Sequence, residues 1–324
     1  MATLPDNSLS VSLSISIVCY QSDRQELQRL IASILSAIGE CRSKKLDGED
    51  IGSRRQVDSQ LDNGEPAPEL KPELKKAEPD KQDSPNSIPV YLIDNSELSE
   101  LSLADFEDSR LQADHLGVEL RLLHGHGNVG YGAAHNLLIN DLVSEFHLML
   151  NPDVVLDKLF LATGINYLIA HKGVALVAPM ASHETGERQF LCKRYPSVFT
   201  LFVRGFLPGN AHWLFTKRLA CYEMRDLHVE QINDAIPIAS GCCMLTRSSA
   251  LTAIKGFDAR YFLYFEDFDL SLRIRQQGCI AYLPTMKIVH GGGYAARKGF
   301  SHVTMFVRSA IRFFGTHGWR WFKQ

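Results

Sequence analysis

Val118-Glu119-Leu120-Arg121-Leu122-Leu123 alternates apolar with charged side chains, and His124-Gly125-His126-Gly127-Asn128-Val129-Gly130-Tyr131-Gly132 follows it directly. The first run reads as a strand and the glycines as a turn. Ala133, Ala134, Leu137, Leu138 and Leu142 then form the apolar face of a helix. Phe146-His147-Leu148-Met149-Leu150 is a second strand, ended by Asn151-Pro152-Asp153. Strands alternating with helices in this way predict an α/β protein with a mostly parallel, Rossmann-like sheet and helices on both faces.

Working outward, Val11 to Val18 alternates apolar with hydroxyl residues before Cys19-Tyr20 and reads as the first strand. Asp23 can cap a following helix that carries Leu27, Leu30, Ile31, Ile34, Leu35 and Ile38, with Gly39 as its stop. Ile88 to Ile93 is another strand, and the polar triplet Asp94-Asn95-Ser96 at its carboxyl end lies where open α/β sheets place ligand contacts. Toward the C-terminus come a helix near 159–170, strands over 174–179 and 238–245, and a less regular region between them.

Residues 42–87 are rich in Lys, Asp, Glu, Pro, Ser and Gln and nearly free of large apolar side chains. Such a segment buries too little to offset its ordering entropy, and a disordered insertion is expected there. It divides a domain expected over 1–297, after which 298–324 is basic, aromatic and without an acid. A helix of that composition suits a membrane surface, or else packs on the domain or in a homodimer.

The chain has 324 residues, 45% of them hydrophobic, with a net charge of −3. That charge gives no reason to expect nucleic acid as a partner. Seven cysteines without a C-x-x-C pair suit a reducing cytosol better than a disulfide framework or a zinc site. No signal peptide or transmembrane run is expected, which points to a cytoplasmic protein.

The chemistry concentrates in Gly256-Phe257-Asp258-Ala259-Arg260-Tyr261-Phe262-Leu263-Tyr264-Phe265-Glu266-Asp267-Phe268-Asp269. Three carboxylates follow an aromatic run, at the first turn of a helix that ends before Gly278. Acids in a first turn can simply serve the helix dipole. Against apolar walls they are instead paired, metal-bound or poised as bases. A second pattern competes with this one, because Gly125 to Gly130 matches G-x-G-x-x-G between a strand and a helix and would suit an NAD(P)-dependent oxidoreductase. It leaves Glu266 and Asp267 unexplained.

In order and spacing, Val18-Cys19-Tyr20, Ile93 to Ser96, Asn128 to Asn136, Asn151-Pro152-Asp153, Ser240-Gly241, Gly256 to Leu270 and His290 resemble family 2 glycosyltransferases of the GT-A fold, most of all the rhamnosyltransferases of bacterial surface-polysaccharide assembly. The resemblance spans roughly residues 11 to 300 apart from the insertion. It implies an inverting, metal-dependent transfer of a sugar, with dTDP-rhamnose the favoured donor, to a saccharide or lipid-linked acceptor.

By that resemblance Asp267 is the catalytic base, with Glu266 as the alternative. Cys19, Tyr20, Asp94, Asn128, Gly130, Gly132, Asn151 and Gly241 contact the nucleotide sugar, and Asp153 holds Mg²⁺ or Mn²⁺. His290 completes that metal shell or bonds to backbone at its strand end. Asn151 stands where the family's metal motif most often has a first acid. A lipid-linked acceptor implies peripheral attachment to the cytoplasmic membrane. A non-catalytic nucleotide-sugar-binding protein is the alternative outside enzymology.

Overall fold

The computed structural model describes residues 12–43, 87–207, 209–291 and 300–323. Apart from Arg42, Ser43 and Ser87, the insertion expected over 42–87 lies outside the described residues. Strands β1 (Leu13–Cys19), β2 (Ile88–Asp94), β3 (Val118–Leu123), β4 (Phe146–Leu150), β5 (Val154–Leu156), β6 (Val174–Ser182), β7 (Arg188–Gln189), β8 (Cys243–Arg247) and β9 (Cys279–His290) form one sheet. Its order is β3-β2-β1-β4-β8-β6-β9-β5, with β7 on β6.

The expected parallel sheet holds over β3-β2-β1-β4. Beyond β4 it is mixed, because β8 runs antiparallel to both of its neighbours and β5 is antiparallel to β9. The strand expected over 238–245 starts later, at Cys243, which leaves 238–242 as a loop beside the sheet.

Helices cover both faces. Helices α1 (Arg24–Ser43) and α4 (Phe160–Ala170) pack on one face with Ile15, Ile17, Leu148, Leu245 and Ile288. Helices α3 (Tyr131–Ile139), α7 (Ser248–Ala253) and α8 (Glu266–Ile274) cover the other with Met149, Leu176, Met244 and Phe257. Helix α2 (Glu107–His115) closes the β3 end. Asp23 caps α1 as expected, accepting from the Gln25 and Glu26 amides at 2.7 and 3.1 Å. Gly39 does not stop it. The helix runs to Ser43 because Ile38 and Cys41 are buried on the same face, and the burial of those side chains outweighs one glycine in a helix interior.

The alternation in β1 ordinarily marks a strand wet on one face, yet every residue of β1 is buried. Ser16 Oγ lies 2.8 Å from His147 Nε2 and 2.8 Å from His135 Nδ1, and Ser14 Oγ lies 2.7 Å from His147 Nδ1. Burial pushes the His147 imidazole down to about 3 and lowers His135 well below its usual range, so both rings are neutral. A neutral ring can accept on one nitrogen and donate on the other, which is what a row of buried hydroxyls needs.

The irregular region contains α5 (Val198–Phe206), a 3₁₀ turn (Gly209–Phe215) and α6 (Thr216–Tyr222). Helix α9 (Phe300–His317) packs against α8 through Phe306, Phe313 and Phe314, which meet Tyr261, Phe265 and Phe268. Those three aromatics of the C-terminal segment therefore serve the domain. Trp319, Trp321 and Phe322 stay exposed.

Candidate active site

Strands β1, β2 and β3 progress one way from the centre of the sheet and β4 lies on the other side of β1. The crevice for a ligand in such a sheet lies at that reversal, outside the carboxyl ends of β1 and β4. Cys19-Tyr20 leave β1 there, and Asn151-Pro152-Asp153 leave β4. The G-x-G-x-x-G loop instead follows β3, the edge strand, which removes the topological ground for the dinucleotide reading.

Asp94 pairs in register with Cys19 and is almost fully buried. One carboxylate oxygen accepts from the Glu100 and Leu101 amides at 2.7 and 3.1 Å, and the other accepts from Ser96 at 3.2 Å. The carboxylate thus folds its own loop, and that loop bounds a cavity of about 310 Å³ lined by Cys19, Gln21, Ser22, Arg24, Asp94, Ser96, Glu100 and Leu101. Burial, followed by the Asp94 charge, pushes the Cys19 thiol up, so it faces the cavity as a neutral group. Tyr20 is half exposed.

Asn128 bridges rather than projects. Its Oδ1 accepts from Asn95 Nδ2 at 3.1 Å and from the Gly130 amide at 3.2 Å, while Asn95 Oδ1 accepts from the Val129 amide at 3.1 Å. Gly130, at φ 90°, comes so close to Phe262 that an added Cβ would lie 2.4 Å from its carbonyl oxygen. A Cβ on Gly132 would lie 2.8 Å from Phe257 Cβ. These glycines are used to dock the start of α3 against the acidic segment. Asn136 completes the clasp, giving to the Phe257 carbonyl at 2.7 Å and accepting from its amide at 2.8 Å.

The acidic segment enters α8 through two left-handed residues, Tyr264 at φ 70° and Phe265 at φ 65°. Each such residue costs about 1–2 kcal/mol, and the rings of Phe306 and Phe313 pack on this pair. The turn delivers Glu266 and Asp267 to the first two helical positions.

Asp267 Oδ2 accepts from the Gly241 amide at 3.0 Å and Oδ1 from the Phe268 amide at 2.9 Å. Burial raises its pKa, and those backbone donors and Lys193 pull part of the way back. Tyr131, which sequence reasoning did not assign a role, donates to the Gly241 carbonyl at 2.6 Å. Burial carries its hydroxyl well above the usual range, with Cys242, Glu266 and Asp267 adding to the effect. Asn151 N donates to the Cys242 carbonyl at 2.9 Å, so the end of β4 and the Asp267 anchor meet on one loop. Burial pushes the Cys242 thiol up to about 12, and both Asp153 and Asp267 add to that. Both carboxylates thus act on this one residue.

Asp153 and His290 are brought together by the antiparallel register of β5 and β9, which sets Val154 opposite His290. His290 Nε2 lies 3.5 Å from Asp153 Oδ2, and His290 Nδ1 lies 2.8 Å from Gln189 Oε1. A carbonyl oxygen can only accept, so Nδ1 carries the proton. Burial lowers the His290 pKa despite the attraction of Asp153. In the neutral ring Nε2 is then a lone pair facing a carboxylate oxygen, an arrangement that a shared cation relieves. Among the described residues no group of three or more His, Cys, Asp and Glu is placed to hold a metal. The pair fits an ion that takes its remaining ligands from phosphate and water.

Asp269, third in the acidic run, faces away. It takes Arg273 Nε at 2.7 Å and His317 Nε2 at 2.8 Å. Besides Tyr131 and Gln189, His126 escaped the sequence reading. Its ring nitrogens are buried without a hydrogen-bond partner among the described residues, and the Asp94 charge acts on it. Its place in the glycine loop was the one available signal.

No family model matches the chain. Over 217 residues it is 24% identical to N-acetylglucosaminyl-diphospho-decaprenol L-rhamnosyltransferase of Mycobacterium tuberculosis, covering 63% of this chain and 69% of that protein. Over 184 residues it is 24% identical to rhamnosyltransferase WbbL of Escherichia coli K12, covering 54% of this chain and 66% of that one. The crystal structure of GalNAc-T7 with UDP, GalNAc and Mn²⁺ superposes with a TM-score of 0.55 at 12% identity, over 95% of this chain and 48% of the other. The fold is that of the GT-A glycosyltransferases, and the chain is similar to the rhamnosyltransferase-like branch of family 2.

Proposed function

We propose that the chain is an inverting glycosyltransferase that moves a sugar, with L-rhamnose from dTDP-rhamnose the favoured case, to a saccharide or lipid-linked saccharide in surface-polysaccharide synthesis. The observation that carries this reading is the pairing of Asp153 with His290 together with the anchoring of Asp267 on the Gly241 amide, next to Cys242, whose carbonyl takes the amide at the end of β4. A metal-facing pair next to a buried, anchored carboxylate is what displacement at an anomeric carbon requires. One end binds a diphosphate and the other takes a proton.

The cavity at Asp94 receives the nucleoside, and Asp153 and His290 hold Mg²⁺ or Mn²⁺, with imidazole favouring manganese. When bound, the ion neutralises charge on the departing diphosphate. Asp267 accepts the proton of the acceptor hydroxyl as its oxygen bonds to the anomeric carbon and the bond to the diphosphate breaks from the opposite face. The Gly241 and Phe268 amides fix the carboxylate for this step.

Calorimetric titration of dTDP-rhamnose, UDP-glucose and NAD, each with and without Mn²⁺, tests the reading. One nucleotide sugar should bind in a metal-dependent way, and Asp153→Ala should weaken it about tenfold or more. Binding of NAD alone, indifferent to metal, would reject it in favour of the glycine loop.

A lipid-linked acceptor places the work at a membrane surface, and the fold provides a suitable face. The stretches 188–222 and 291–324 contain no Asp or Glu. They meet where the Val198 and Phe199 amides donate to the Arg320 and Trp321 carbonyls at 2.8 and 3.0 Å. Phe199 contacts Phe215 and Phe322, Phe202 stacks on Phe206 of the same helix, and Phe202, Phe206, Trp213, Leu214 and Trp321 are exposed. Exposed aromatic rings among cations suit an anionic bilayer. No helix among the described residues is long and apolar enough to cross one. The protein should sediment with vesicles containing phosphatidylglycerol and not with phosphatidylcholine alone, and Phe202→Ser with Trp321→Ser should abolish this. Equal sedimentation of the variant would place the contact elsewhere.

A further inference from the structure

We infer that Gln189 is the positioning residue of the metal pair, its side-chain amide holding His290 in one tautomer and one orientation, with His183 holding that amide in turn. The inference rests on the reading of Asp153 and His290 as metal ligands and extends it to a part of the chain that carries no motif. All three contacts of the amide are in place. Oε1 accepts from His290 Nδ1 at 2.8 Å. Nε2 donates to the His290 carbonyl at 2.7 Å and lies 2.6 Å from His183 Nδ1.

The orientation of the amide follows from its partners. The His290 carbonyl can only accept, so the nitrogen of Gln189 must face it and the oxygen must face Nδ1. The second proton on that nitrogen goes to His183 Nδ1, which therefore accepts. Both ends of the amide are committed, and a flip would set two acceptors against each other at one end. His290 consequently carries its proton on Nδ1 and presents the Nε2 lone pair to Asp153.

The backbone that holds Gln189 is equally constrained. Strand β7 turns back on β6 with Ala181 opposite Gln189, and the His183 amide closes the hairpin on the Glu187 carbonyl at 2.7 Å. Successive strand residues point to opposite faces. Arg188 accordingly reaches the other way, donating to the Leu227 carbonyl at 2.9 Å and the Tyr282 hydroxyl at 3.1 Å. One residue pins the hairpin and the next orients the histidine. Strand β6 lies parallel to β9 with Ser182 opposite Val289, so the hairpin stands directly beside the end of the strand that carries His290. Groups that bond the second nitrogen of a ligating histidine are worth roughly 10–100-fold in metal affinity.

Two readouts on the full chain separate this inference from the metal reading. In metal-free protein, ¹⁵N–¹H correlation spectra of the histidine rings should show His290 as the Nδ1–H tautomer. Gln189→Met, which keeps the volume and removes both polar ends, should give a mixture, and Gln189→Glu, which keeps an acceptor for Nδ1–H but turns its second oxygen on the His290 carbonyl, should keep the Nδ1–H tautomer.

Mn²⁺ titration followed by electron paramagnetic resonance, with thymidine diphosphate present, should show Gln189→Met weakened about 10–100-fold and Gln189→Glu weakened less, because it keeps the bond to His290 Nδ1 and loses only the one to the His290 carbonyl. His183→Ala should fall between wild type and Gln189→Met. A wild-type tautomer in Gln189→Met, or unchanged Mn²⁺ affinity there while His290→Ala is weakened, would overturn the role of Gln189. Unchanged Mn²⁺ affinity in both Asp153→Ala and His290→Ala would overturn the metal reading instead. Should the methionine variant fail to fold, a Gln189→Glu protein with mixed tautomers would also overturn the inference.

Discussion

Asp267→Asn is expected to lower turnover by roughly 10²–10⁴-fold, the usual contribution of a positioned base, while nucleotide-sugar affinity and the melting temperature stay close to wild type. The separation follows from how the carboxylate is held. Its two backbone donors come from Gly241 and Phe268, and an asparagine oxygen keeps one of them. Losing the other costs about 1 kcal/mol, and the neutral amide no longer bears the desolvation of a buried charge. What disappears is the ability to take a proton.

The sign of the pH dependence is fixed by the same environment. Only the ionised carboxylate can act, so kcat/KM rises with pH through the Asp267 pKa. Burial raises that pKa, which puts the ascending limb above the ordinary carboxylate value of about 3.9. Lys193 opposes the rise, and Lys193→Met should move the limb to still higher pH. A full-activity Asp267→Asn protein beside an inactive Glu266→Gln protein would transfer the role of base to Glu266, its buried neighbour.

The sequence made the strands of the parallel half legible because their apolar runs are bounded by polar or glycine turns, as at Ile93-Asp94 and Leu150-Asn151. The region over 181–237 was not legible. Strand β7 has two residues, and a pairing that short leaves no periodicity to read. Gln189 was invisible for that reason, since its role exists only through the hairpin. Asn128, Gly130 and Gly132, the residues expected at the nucleotide, also join loops to one another in the fold through Asn95, Phe262 and Phe257. A signature of residues can mark the clasps that shape a site as readily as the groups that touch its ligand.

Asp269→Ala should cost about 3–5 kcal/mol, the penalty for removing one member of a buried ion pair. The lower end applies here, because the Arg273 side chain keeps 23% of its exposure and regains some hydration. Arg273 also donates to the Ile254 and Gly256 carbonyls, both at 2.8 Å, so those bonds lose their orienting charge. The second partner matters more for the site. His317 ends α9, and its bond to Asp269 is a polar tie between α9 and α8. Without it the rings of Phe306 and Phe313 hold the left-handed Tyr264-Phe265 pair less firmly, and that pair sets the direction in which Glu266 and Asp267 enter the site. Urea denaturation should register the stability loss. Tryptophan emission should shift as well, since Trp319 stacks on Phe314 at the end of α9. Activity should fall together with the fraction of folded protein and recover where folding is restored by added osmolyte, which Asp267→Asn should not do. Two carboxylates only two residues apart would then separate cleanly, and a loss below about 1 kcal/mol in Asp269→Ala, the size of an exposed pair, would show that α9 is held by its rings and by its bonds to the segment before α8 rather than by Asp269.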